Sequence, residues 1–288
     1  MPPKSVRLPP DTATILERSR GVLFVQWEEL LRSRRTVLKS SNPDDIHDLR
    51  VASRRFRAAL ELFYPFAPKG SRTELKKDVR KLTRLLDALR NIDEALIFFT
   101  ARTGRLDNSA ICQALAEQRS REYKRVHKAL THFDHCTLDR LVREMVAVLN
   151  EDLTTERNRF SLLAYFSEVS IRQYMSIHHS LTVSSAPEQR ASRHKLRIGI
   201  KKWRYFLETI APVLECNYTH ILGLLKEYQT LLGRMNDIDM FEELLCTLAF
   251  PPVERKRAEA ALLAEYAFLM KDFTDLVEQK PLAYTFIF

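Results

Sequence analysis

Glycine is scarce in this chain, six in 288 residues. With so little of the residue that opens tight turns and bulges, and with no alternating runs of β-branched residues, a sheet is excluded and helices are expected nearly throughout. Cysteine is sparser still: Cys112, Cys136, Cys216 and Cys246 stand far apart, and none begins a Cys-x-x-Cys pair of the kind that opens a zinc or redox site. No apolar run approaches the length that spans a bilayer, and the basic stretch from Met1 to Asp11 has no apolar segment after it, so a cytoplasmic protein is expected. Acid is in deficit. Forty-six Lys and Arg against 37 Asp and Glu leave a formal charge of +9 and a pI near 9.4, which favours acidic partners. A hydrophobic share of 45% is ample for a core.

Turn and capping residues break the helical pattern at Ser40 to Asp45, Pro65 to Ser71, Thr103 to Asn108 and His132 to Thr137. Further breaks fall at Glu151 to Thr155, Val183 to Glu188, Pro212 to Asn217 and Phe250 to Pro252. Four or five helices are expected in each half. The reading is all-α: a flexible segment over 1–13, a helical bundle over 14–154 and a second over 155–288.

The two halves repeat each other. His47-Asp48-Leu49-Arg50-Val51-Ala52-Ser53-Arg54-Arg55-Phe56-Arg57 returns as His194-Lys195-Leu196-Arg197-Ile198-Gly199-Ile200-Lys201-Lys202-Trp203-Arg204, an offset of 147 positions. Leu86-Asp87-Ala88-Leu89-Arg90-Asn91-Ile92-Asp93 returns as Leu232-Gly233-Arg234-Met235-Asn236-Asp237-Ile238-Asp239, an offset of 146. Two motifs kept in one register imply duplication of the whole unit.

At about 100° per residue, His47, Arg50, Arg54, Arg57 and Glu61 share one arc, with Leu49, Ala52, Phe56, Ala59, Leu60 and Phe63 behind them. His194, Arg197, Lys201, Arg204 and Glu208 repeat that arc, backed by Leu196, Gly199, Trp203, Phe206, Leu207 and Ile210. Arg55 and Lys202 add charge beside each stripe. A solvated helix usually alternates acids with bases at i+4, whereas each stripe stacks three cations before its one Glu. The missing counter-charge is then an external anion, and arginine forks suit phosphate oxygens. Downstream, Lys76, Lys77, Arg80 and Arg84 cluster on one arc, while in the second half only Lys226 answers them, matching Arg80. The N-terminal half is therefore expected to bind more strongly. Each histidine is read at the start of its helix, where it either meets a phosphate oxygen as a neutral imidazole or braces the helix.

These residues resemble the conserved histidine α-helical domain, or CHAD, family. His47 to Arg57 fits its His-x-x-Arg-Val-x-x-Arg-Arg-x-Arg helix at every named position, and His194 to Arg204 fits with Ile198, Lys201 and Lys202 as replacements. Gly233, Asp237 and Asp239 fit its Leu-Gly-x-x-Arg-Asp-x-Asp segment, with Asn236 where Arg is usual; the first copy has Asp87 for Gly and Asn91 for Asp. The likeness runs from about Thr14 to Gln279. It implies two helical bundles about an approximate two-fold axis, with a central basic groove that binds inorganic polyphosphate without catalysis or cofactor. Polyphosphate granules and their associated proteins are the wider setting in which such a binder would act. The chain carries no strand-rich CYTH segment of the kind fused to some members.

Nucleic acid is the alternative polyanion, but Phe56 and Trp203 lie on apolar faces, where they cannot stack on bases. A metal-dependent phosphohydrolase is disfavoured because His47-Asp48 becomes His194-Lys195, replacing a would-be ligand with a cation. Asp93, Asp237 and Asp239 are read as supporting acids that pair with bases or hold the groove arginines. His127, His132, His135 and Cys136 have no counterpart in the other half and are read as ordinary surface groups, not a metal site, and His178-His179 receives no role.

Overall fold

The computed structural model describes residues 10–40, 42–63, 65, 69–103, 109–148, 156–184, 186 and 188–284. Those residues form nine helices and no strand: α1 (Thr12–Val37), α2 (Pro43–Phe63), α3 (Lys69–Thr103), α4 (Ala110–Thr131), α5 (His135–Val148), α6 (Glu156–Ser184), α7 (Arg190–Leu214), α8 (Thr219–Thr247) and α9 (Pro252–Gln279). The expected breaks fall between these helices where they can be compared. Most of the break at Thr103 to Asn108, and all of the break at Glu151 to Thr155 with the division at 154/155, lie outside the described residues. Of the segment read as flexible, 1–9 also lies outside them, but α1 already begins at Thr12, where Asp11 accepts the Thr14 amide at 2.7 Å. The break read at Pro212 comes late. α7 runs through that proline to Leu214, because a proline in the last turn removes only one hydrogen bond, and Glu215 ends the helix in the left-handed region at φ 54°.

Neighbours in sequence pack as neighbours in space: α1 on α2, α2 on α3, α3 on α4, then α6 on α7, α7 on α8, α8 on α9, with α5 against α1 and α3. The apolar faces decide this. Leu49, Ala52, Phe56, Ala59, Leu60 and Phe63 of α2 are all buried, as are Leu196, Gly199, Trp203, Phe206, Leu207 and Ile210 of α7. Trp27 meets Phe56 with ring centroids 5.2 Å apart, and Tyr174 meets Trp203 at 5.4 Å, the same two positions 147 residues on.

The halves join through α2 on α7, α1 on α7 and α3 on α8. Phe98 and Phe99 of α3 pack on Phe241 of α8 at 5.3 and 6.0 Å. Arg18 of α1 donates to the Val213 carbonyl of α7 at 3.4 Å, and Tyr165 of α6, at the equivalent position, donates to the Leu62 carbonyl of α2 at 2.9 Å. Each half thus reaches across to the end of the other's basic helix. No helix among the described residues is long and apolar enough to cross a membrane.

Candidate functional site

The cationic faces of α2 and α7 turn toward each other. Arg50 and Arg54 side chains keep only 17% of their surface exposed, and Arg197 and Lys201 are partly buried opposite them. The cations are close enough that Arg50, Arg197 and Lys201 each bind their proton less tightly than usual. Burial, and then Arg54, Asp87 and Arg90, act on Arg50, with the net effect downward; Arg197 is lowered by burial first and also by Arg54 and Arg50. Lys201 is lowered most, to about 6, by burial and then by Arg197, Arg54 and Arg50, with Asp87 opposing. At neutral pH its amine is largely uncharged. The Nε atoms of Arg50 and Arg197 are buried without a hydrogen-bond partner.

A cavity of about 610 Å³ opens beside this cluster. Arg54, Arg57, Ala58, Glu61 and Leu62 of α2 line it, with Asp87 of α3. α7 supplies His194, Arg197, Ile198, Gly199, Lys201, Lys202, Tyr205 and Phe206, and α6 supplies Tyr165, Val169, Arg172, Gln173 and Ser176. Cations thus outnumber the two carboxylates. Most of them come from α6 and α7, so the cavity is weighted toward the C-terminal half, where the sequence pointed to the N-terminal one. The reason lies in α3: Lys77, Arg80 and Arg84 are exposed and Lys76 half-buried, but none lines the cavity, nor does the exposed Lys226 of α8.

Other expected residues are placed elsewhere. Arg55 lies 3.6 Å from Glu208 and Arg204 lies 3.0 Å from the same carboxylate with its guanidinium over the Tyr205 ring; neither lines the cavity. His47 is not at a helix start, because Asn42 begins α2 one turn earlier by accepting the Ile46 amide at 3.2 Å through its carbonyl and the Asp44 amide at 3.1 Å through its side chain. His194 likewise sits one turn inside α7, which opens at Arg190. The free helix amides invoked for both are therefore not beside them. Burial, then Arg50 and Arg90, hold the His47 imidazole below its usual pKa, and its Nδ1 has no partner. His194 does line the cavity, with Nδ1 2.9 Å from the Asn236 side-chain oxygen.

The acids divide in the same way. Asp93 is buried against Arg119 of α4 at 2.6 Å, and Asp239 meets Arg190 at 2.8 Å, so neither holds a groove arginine. Burial raises Asp237 above the ordinary carboxylate range against the pull of Arg197, Lys201 and Arg50, which places it in their field. The direct contacts come from two residues that the motif comparison treats as departures. Asp87 accepts from Arg54 at 2.6 Å and from Arg50 at 3.4 Å, and Asn236 accepts from Arg197 at 3.1 Å. Their signal in the sequence was their spacing from the stripes, readable only once α3 and α8 are known to lie beside α2 and α7. The α6 residues carried no signal, since α6 has no basic stripe.

His132 Nδ1 rests 2.7 Å from the Lys128 carbonyl, Cys136 Sγ lies 3.8 Å from His135 Nε2, and no cluster of three or more metal-capable side chains occurs among the described residues.

The model of the CHAD domain matches residues 22–246, which spans both copies of the stripe. The chain belongs to the CHAD family. Its fold is similar to the crystal structure of the CHAD domain from the plant Ricinus communis, with a TM-score of 0.66 and 21% identity over 99% of this chain and 98% of that one. It is also similar to PptA from Streptomyces chartreusis, with a TM-score of 0.64 and 15% identity over 94% of this chain and 100% of that one. No curated protein matches the sequence. Membership in the family supports a polyphosphate-related role in coarse terms.

Proposed function

We propose that this CHAD protein binds inorganic polyphosphate, without catalysis, in the basic cavity between α2, α6 and α7. The observation that carries the reading is the convergence of Arg50, Arg54, Arg197 and Lys201 from two helices around few carboxylates, at a cost large enough to strip the proton from a lysine. A fold retains such an arrangement at a loss of stability, and an anion between the stripes recovers it. A flexible string of phosphates supplies that charge at several points at once, and release of its condensed cations adds to the driving force. The repeated register and the equivalent aromatic contacts support an internal duplication, so that the two stripes form the facing walls of one groove. Polyphosphate granules are the setting that would suit such a binder.

The test is a competition titration at fixed salt, with labelled long-chain polyphosphate displaced by unlabelled polyphosphate, DNA or RNA. Polyphosphate is expected to compete best. Stronger competition by a nucleic acid overturns the reading, and release of orthophosphate from bound polyphosphate with magnesium or manganese present overturns its non-catalytic part.

A further inference from the structure

The two stripes are related by one offset, so each end of the α2–α7 interface carries the same positions with the helices exchanged. At the end that α6 borders stand Arg57, Glu61 and Lys202; at the end that α1 borders stand their counterparts Arg204, Glu208 and Arg55. The chemistry of the two ends differs. Glu208 is held between Arg204 at 3.0 Å and Arg55 at 3.6 Å, and past the end of α7 Arg18 of α1 grips Glu215 at 2.6 Å. Cations at that end already have carboxylates. At the other end Glu61 is 3.8 Å from Arg57, and no ion pair joins Lys202 to Glu61 among the described residues.

The bordering helices differ in the same sense. α6 places Arg172 and Gln173 in the lining of the cavity, with the mostly exposed Arg172 side chain 3.6 Å from Glu168. The equivalent positions of α1 are Val25, which is 63% exposed, and Gln26. An exposed valine offers a phosphate nothing. Divergence thus put a cation in the cavity lining on α6 where α1 carries a valine.

We infer that the phosphate chain engages the protein from one end only, the end bordered by α6, and that Arg172 with Lys202 and Arg57 receives it there. The inference rests on the polyphosphate reading and adds a direction and a third wall to it. Arg172 contributes a fork for phosphate oxygens at the rim, where its exposed stem leaves packing untouched. The opposite end then serves as a clamp between the halves, with Glu208 and Glu215 supplying its charge.

The full chain with Arg172→Glu, with Val25→Glu and with Arg54→Glu is titrated with fluorescent long-chain polyphosphate, folding of each variant being checked by circular dichroism. Arg172→Glu is expected to weaken binding about five- to tenfold and to lower the dependence on salt by about one counter-ion. Val25→Glu, on an equally exposed position of the equivalent helix, is expected to change it less than about twofold. Equal losses from Arg172→Glu and Val25→Glu, or no loss from Arg172→Glu while Arg54→Glu abolishes binding, would overturn the one-ended site and leave the polyphosphate reading standing. Absence of binding by the unaltered chain would overturn both.

Discussion

Lys201 is where the cost of the site is concentrated. Its amine ordinarily keeps its proton to 10.5, but burial among Arg197, Arg54 and Arg50 lowers that to about 6. Between those values the unfolded chain binds one more proton than the folded one, so this group makes the unliganded protein more stable as pH rises across the window. An anion in the cavity favours the charged amine and reverses the shift. Binding of polyphosphate should therefore take up a proton and weaken as pH rises from about 6 toward about 8. Titration calorimetry at pH 7.5 in two buffers of different ionisation enthalpy measures that uptake directly. Lys201→Met should remove most of it; uptake unchanged in this variant would assign it to His47, the imidazole that burial and Arg50 hold below its usual pKa.

α7 is the element on which the site is mounted, and two features outside the basic stripe fix its position. Arg193 is buried and donates to the Ser184 and Ala186 carbonyls at 2.9 and 2.6 Å and to the Tyr266 hydroxyl of α9, tying the α6–α7 turn to a third helix. Its counterpart in the first half is Ile46, so this brace is particular to the second. Arg193→Met leaves those acceptors without their donor and should cost about 2–4 kcal/mol in chemical denaturation. A loss below about 1 kcal/mol would show that water replaces the guanidinium. Gly199 governs the approach of α6. A Cβ there would stand 3.1 Å from Ile177 Cγ1, whereas its counterpart Ala52 already carries one. Gly199→Leu should destabilise by about 1–3 kcal/mol and, by moving α6 off α7, weaken polyphosphate binding as well. Lost stability with unchanged affinity would mean that α6 tolerates displacement without harm to the site.

Across the whole molecule the question is whether a net charge of +9 or one organised cluster does the binding. A diffuse surface and a cavity both respond to salt, but they respond differently to where charge is removed. Charge reversal at Arg50 and Arg54 should reduce polyphosphate affinity by at least tenfold and flatten its salt dependence, whereas reversal of Lys256 and Arg257, exposed on α9, should cost less than about threefold. Similar losses from both pairs would favour the diffuse surface. The same comparison bears on Lys77, Arg80 and Arg84, which lie outside the cavity and count for affinity only if the phosphate chain runs on past it.

Much of the fold was legible from local pattern. The apolar positions of α2, α3 and α7 could be read because a helix repeats every 3.6 residues, and each of Leu49, Phe56, Leu82, Leu89, Trp203 and Ile210 is buried as that period requires. The basic stripes were legible for the same reason, and their duplicated register pointed to paired helices. The direction in which the stripes face was not. A period along one helix says which residues share a side and nothing about which distant helix covers that side. Packing of α2 on α7 brought the two basic faces together into one cluster, made Asp87 and Asn236 its acceptors, gave Arg55 to Glu208, and brought Arg172 in from a helix with no basic pattern of its own. Those relations join segments about 30 to about 150 residues apart in the chain. The sequence by itself determined the helices, their apolar sides and the sign of the charge on two of them; the tertiary structure alone decided which charges are neutralised and which face the cavity, because electrostatic energy depends on distance through space and on burial, and both are set only when the halves close on each other.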